Sequence, residues 1–174
     1  MPRKLAVKSR RGGLSLLEMM AATAIMATIT ASVVVVMRSG YAVWNAQEAD
    51  IDILENGYGV LRHVVTQMRQ ATSVTAITAS NNTQGSLSFT TSTGVTRTWA
   101  RNAASDVYFN NGTYNQLLAK SINSLTFTGY KADGSTVTAT PAEIQVVECR
   151  AQITLPRGAG VTRTLTTRAW IRSW

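Results

Sequence analysis

Glu18 is the only charge among residues 14–37, a run that reads LSLLEMMAATAIMATITASVVVVM. A carboxylate set deep in so apolar a run costs ~2.5 kcal/mol or more unless something compensates it. The other chemically capable side chains stand apart. His63 is the single histidine and Cys149 the single cysteine, so neither an internal disulfide nor a Cys/His metal set is available. His63 is read as structural. No Gly-x-Ser-x-Gly turn, phosphate-binding Walker loop or metal-ligand spacing occurs in the sequence. The expectation is therefore a chain that is not an enzyme and needs no cofactor or metal.

The charge distribution narrows the reading further. The net charge is +8, but residues 1–13 hold five basic residues (Arg3, Lys4, Lys8, Arg10, Arg11) and no acid. Without them twelve Lys and Arg face nine Asp and Glu, a net of +3. The basicity then reads as a topology signal rather than an electrostatic footprint for nucleic acid, and nucleic acid is not expected as a partner. As a helix, residues 14–37 would span about 36 Å, enough for the ~30 Å hydrocarbon core of a bilayer. The run is too long for the apolar part of a cleavable secretory signal. An ordinary membrane anchor fits its length but gives no account of Glu18, unless that carboxylate is simply tolerated near the interface.

The stretch Arg10-Arg11-Gly12-Gly13-Leu14-Ser15-Leu16-Leu17-Glu18 resembles the class III signal of type IV prepilins and type II secretion pseudopilins. The resemblance implies cleavage by a prepilin peptidase between Gly13 and Leu14 and N-methylation of Leu14. It also implies that Glu18, fifth in the mature chain, pairs with the amine of a neighbouring subunit and partly offsets the desolvation of both charges. Cleavage after Gly12 would put Glu18 one place out of register. Glycine before the scissile bond has no side chain to hinder approach by the peptidase. Leu14 stands where the family often has Phe, and the helix-breaking Pro of many pilins is absent, leaving Gly40 as the expected weak point.

The expected organisation is a cleaved leader at 1–13, a transmembrane helix half at 14–38, an amphipathic helix half at 39–72 and a β-rich domain at 73–174. In the amphipathic half, Trp44, Ile51, Leu54, Tyr58, Leu61, Val65 and Met68 make a stripe at spacings of three, four and seven, expected to seat a sheet. Gly57 and Gly59 make a bend plausible there. Strands are expected at 73–79, 86–91, 95–101, 107–109, 125–130, 143–155 and 161–172. In the long penultimate strand Cys149 falls on the apolar face with Val147, Ala151 and Ile153, which predicts a buried, unreactive thiol. The fold class is thus α+β: a long N-terminal helix packed on a C-terminal antiparallel sheet domain.

The C-terminal half, through Ser121–Phe127, the Ala132-Asp133-Gly134 turn and Thr167–Arg172, is similar to the tail of minor members of the family, J-type pseudopilins and W-type minor pilins. It has neither the cysteine pair of many major pilins nor an acidic cluster like the calcium site of major pseudopilins; Asp106 and Asp133 are too few and scattered. The resemblance implies a minor pilin or pseudopilin that initiates or caps a filament. Its partners would be other subunits, an inner-membrane assembly platform and membrane lipid. The chain would be single-pass in a bacterial inner membrane, its N-terminus cytoplasmic before cleavage and its C-terminal domain periplasmic or in an extracellular filament. The alternative is a DNA-uptake or adhesion subunit, with Trp99, Trp170 and Trp174 as a stacking surface rimmed by Arg97, Arg101, Arg168 and Arg172. Asn111-Gly112-Thr113 matches a glycosylation sequon but reads as a turn.

Overall fold

The computed structural model describes residues 15–113, 115–156 and 160–171. Among these residues one α-helix, α1 (Leu16–Met68), precedes eight strands. The chain divides into two compact units, Met1–Trp44 and Asn45–Trp174, with the boundary inside α1. The expected α+β class is present, a long N-terminal helix followed by antiparallel sheets.

Within the first unit the described residues are helical and exposed from Leu16 onward, with large apolar side chains all round. An 18-residue window of α1 has mean hydropathy 2.1 and nothing buried, so the helix is long and apolar enough to cross a membrane. Its hydroxyls are satisfied internally. Thr23 donates to the Met20 carbonyl, Thr28 to Ile25, Thr30 to Met26 and Ser32 to Thr28, at 2.8–3.0 Å. Such back-bonding lets polar side chains sit on an apolar helix without water. The helix runs through Gly40, Gly57 and Gly59 without losing helical structure.

In the second unit two sheets share a core with the C-terminal turns of α1. The first is a meander in the order β1 (Ala71–Ile77), β2 (Ser86–Thr91), β3 (Thr96–Arg101), β4 (Val107–Asn110) and β5 (Asn115–Ala119). The second runs β6 (Ile122–Tyr130), β7 (Val146–Leu155), β8 (Val161–Trp170). Within each sheet the strands pair antiparallel. The sheets are stitched where Gly85 N–H donates to the Leu125 carbonyl (2.8 Å) and Leu125 N–H to the Thr83 carbonyl (3.0 Å). β5 falls outside the expected strands: Asn-Gln-Leu-Leu-Ala has little β-propensity, and pairing with β4 holds it as an edge. Residues 143–145, expected in the long strand, are instead the end of a 3-10 turn (Pro141–Glu143) and its exit.

The helix face differs from the expected stripe. Gly57, Val60, Leu61, Val64 and Met68 are buried, with Ile53, Leu54 and Val65 packed beside them. Ile51 and Tyr58 are 55% and 59% exposed, and Trp44 is exposed within the first unit. The reason is geometric. At 100° per residue Ile51 and Tyr58 point roughly 120–140° away from the centre of the face made by Val60, Val64 and Met68. Gly57 marks a close approach: a Cβ there would lie 2.7 Å from Leu165 Cδ1 and 3.5 Å from Ile153 Cγ2. At Gly59 a Cβ would meet nothing within 4 Å. Gly59→Ala is therefore expected to raise stability by roughly 0.5–1 kcal/mol through helix propensity, and Gly57→Leu to lower it by about 1–3 kcal/mol through overpacking. Denaturant unfolding of the detergent-solubilised chain, followed by circular dichroism, measures both.

Candidate functional site

Gly13 and Leu14, with the whole segment 1–13, lie outside the described residues. The described chain starts at Ser15, where it makes a cap. Ser15 N–H donates to Glu18 Oε2 (2.8 Å), its hydroxyl lies 3.1 Å from the same oxygen, and Glu18 N–H donates back to Ser15 Oγ (3.3 Å). This is a reciprocal capping box, satisfying donors that the first turn of any helix leaves unpaired. The carboxylate also faces the positive end of the helix macrodipole. Glu18 therefore has a local structural partner besides the inter-subunit pairing that the resemblance implies. The Ser-x-x-Glu spacing was its signal.

His63 is held at the α1–β3 contact. Its Nδ1 accepts the Trp99 indole N–H at 3.1 Å, and its ring lies edge-on to Phe109 with centroids 4.6 Å apart. Trp99 is completely buried and stacks on Phe89 at 5.1 Å. The accepting nitrogen must be unprotonated, and burial together with the nearby Arg97 guanidinium lowers the His63 pKa. This agrees with a structural histidine. Arg97 donates to Gln67 and Gln70 on the helix side, and Arg101 donates to the Ile122 carbonyl (2.6 Å) and Ser105 Oγ (2.9 Å).

The outer face of the three-stranded sheet carries the one acid buried among the described residues, which the alternation pattern placed on the wet side. Glu148 is 2% exposed. Arg150 Nε donates to its Oε1 (2.5 Å), Arg168 Nε to its Oε2 (2.6 Å), and the Tyr130 hydroxyl to the same Oε2 (3.4 Å). The Arg168 guanidinium lies 4.8 Å from the Tyr130 ring centroid. Burial pushes the Glu148 pKa up, but the two arginines outweigh it and hold the carboxyl below its ordinary value. The cross-strand pairing Glu148↔Arg168 assembles this cluster, and pairing register is not visible in single-strand periodicity.

The residues of the expected stacking surface divide as follows. Trp99 belongs to the core, Arg97 and Arg101 are tied to neighbours, and Arg168 is engaged by Glu148. Trp170 is 60% exposed, while Arg172 and Trp174 lie outside the described residues. Cys149 is buried and its thiol pKa is pushed far up by burial and by Glu148. Asp133 closes its own turn by accepting from Ser135 and Thr136 backbone N–H groups and the Thr136 hydroxyl. Among the described residues no three His, Cys, Asp or Glu side chains converge as a metal set.

Two outcomes follow. Because folding lowers the His63 pKa, the unfolded chain binds the extra proton. Stability should be level above about pH 6.5 and decline below it, no more steeply than about 1.4 kcal/mol per pH unit for one proton. His63→Gln, which keeps an acceptor for the indole but cannot titrate, should flatten unfolding midpoints between pH 7.5 and 5. Cys149 should resist maleimide until denaturant unfolds the chain, as read by mass spectrometry. Comparison with protein-family models, curated proteins and solved structures found no match for this chain.

Proposed function

We propose that this chain is a minor pilin- or pseudopilin-like subunit, a membrane-anchored structural protein that starts or caps a filament rather than catalysing a reaction. The observation that carries the reading is the placement of Glu18. It is the lone acid of the apolar run, in the first turn of a helix long enough to cross a membrane, five residues past the Gly13–Leu14 junction. A long apolar helix followed by an antiparallel sheet domain is compatible with a pilin-like fold. In this reading a prepilin peptidase cuts after Gly13 and methylates the new Leu14 amine. The five basic residues before the cut hold that end in the cytoplasm. Glu18 then meets the amine of a neighbouring subunit, and the sheet domain lies on the far side of the membrane.

The test is the mass of the membrane form, made in a host with a prepilin peptidase. The expected product begins at N-methylated Leu14. Gly13→Val should leave the leader attached, and Glu18→Val should still be cut but fail to enter filaments. An intact N-terminus on the wild-type chain would sink the proposal.

A further inference from the structure

The two sheets leave four strand edges, and three of them are blunted. β1 carries two register shifts against β2 and has the 3-10 turn packed beside it. β5 has five residues and a register shift in its pairing with β4. The open side of β6 is occupied: Gly85 N–H donates to the Leu125 carbonyl, Leu125 N–H to Thr83 and Thr138 N–H to the Gly129 carbonyl, at 2.8–3.0 Å. β8 has none of these devices. Its ten residues pair with β7 without a shift, no proline interrupts them, and among the described residues no strand pairs with its other side.

The free backbone groups of β8 can be named. Ile171 N–H donates to the Gln145 carbonyl (2.9 Å), so two-residue alternation turns the N–H and C=O of Thr162, Thr164, Thr166, Arg168 and Trp170 away from β7. The far side of the sheet gives the same parity. Leu125 directs its N–H and C=O to residues 83 and 85, so Ala151 opposite it bonds Leu165 instead. A bare, regular edge of this length is a template for another strand.

Beside that edge the chain is basic. An open groove of about 880 Å³ is bordered by Thr166–Thr167 and by Glu55, Tyr58, Arg62 and Arg69 of α1. A second, of about 340 Å³, shares Arg69 and lies along Arg168–Trp170. Arg62 and Arg69 are exposed and, among the described residues, neither forms a salt bridge. Arg163 is exposed on β8 itself. Glu55 is the one acid among the described residues bordering either groove.

We propose that the free edge of β8 takes up an extended, acid-bearing segment of a partner protein as a fourth strand. The outward main-chain groups from Thr162 to Trp170 bond its backbone, and acids on its helix-facing side meet Arg62 and Arg69. These two arginines stand about 10 Å apart along α1, the rise of about three strand residues, so acids two or four places apart on one face come within reach of both. A second copy of β8 is the wrong complement, because it would bring its own arginines to the same grooves, and like charges facing across a ladder destabilise it. A nucleic-acid strand offers phosphate acceptors to the arginines but lacks the alternating amide donors that the edge carbonyls need. The contact lies wholly in the second unit and holds whether or not the leader is cut.

Titrating the full chain in detergent into a fluorescent peptide of alternating Val and Glu, matched to β8 in length, tests this by anisotropy. Saturable binding is expected, with the carbon-13-labelled peptide taking on the amide I band of a paired strand. Replacing its Glu by Lys, or N-methylating its backbone, should weaken binding about tenfold or more. Thr166→Pro, which removes one outward N–H and no bond to β7, should do the same. Arg62→Glu with Arg69→Glu should lose the Glu peptide and gain the Lys peptide, a swap that a misfolded chain cannot give. No binding to the wild type, equal affinity for the two peptides, or indifference to N-methylation and Thr166→Pro would overturn the proposal. So would a single-stranded oligonucleotide binding more tightly than the Glu peptide, or a dimer of the chain that Thr166→Pro dissolves while no peptide binds.

Discussion

The second unit depends on one contact, the seating of Gly57, Val60, Leu61, Val64 and Met68 on two sheets at once. Neither sheet closes on itself, and a three-stranded sheet with one bare apolar face has little independent stability. The same helical turns cover both. Gly57 admits Leu165 and Ile153 of the smaller sheet, while His63 meets Trp99 and Phe109 of the larger. Because Gly57 has no side chain, the helix lies close enough for the larger residues on either side of it to reach the floor.

That contact also explains why α1 differs in character along its length. From Val60 onward the helix has one apolar face and finds cover within the chain. In the first unit it is apolar all round and, among the described residues, finds none. A helix of the second kind is stable only where its surroundings are themselves apolar. Its threonines and serines behave accordingly, turning their hydroxyls onto their own backbone. Ile51 and Tyr58, in the second unit, remain exposed all the same.

Polar groups elsewhere are treated economically. Glu148 stays ionised under the outer face because two half-exposed arginines share its oxygens, which offsets its loss of hydration. His63 stays neutral because a buried indole needs an acceptor. Both are accounted for by folding.

The sequence by itself determined the apolar helix, its lone acid, the antiparallel strands and the burial of Cys149. These are written in composition and in periods of two or in long apolar runs, which are local signals. It also contained the Ser15–Glu18 capping box, a four-residue pattern that needs no tertiary information. Tertiary structure alone decided which side of α1 faces the sheets. The apolar residues from Trp44 to Met68 cover more than half the helix circumference, and only the sheets select among them. It likewise decided that Trp99 is core while Trp170 is surface, since strand alternation gives two faces without saying which is covered. The β5 edge and the Glu148–Arg168 pair arise from strand register, a relation between distant segments. Periodicity within one strand carries no record of its neighbour.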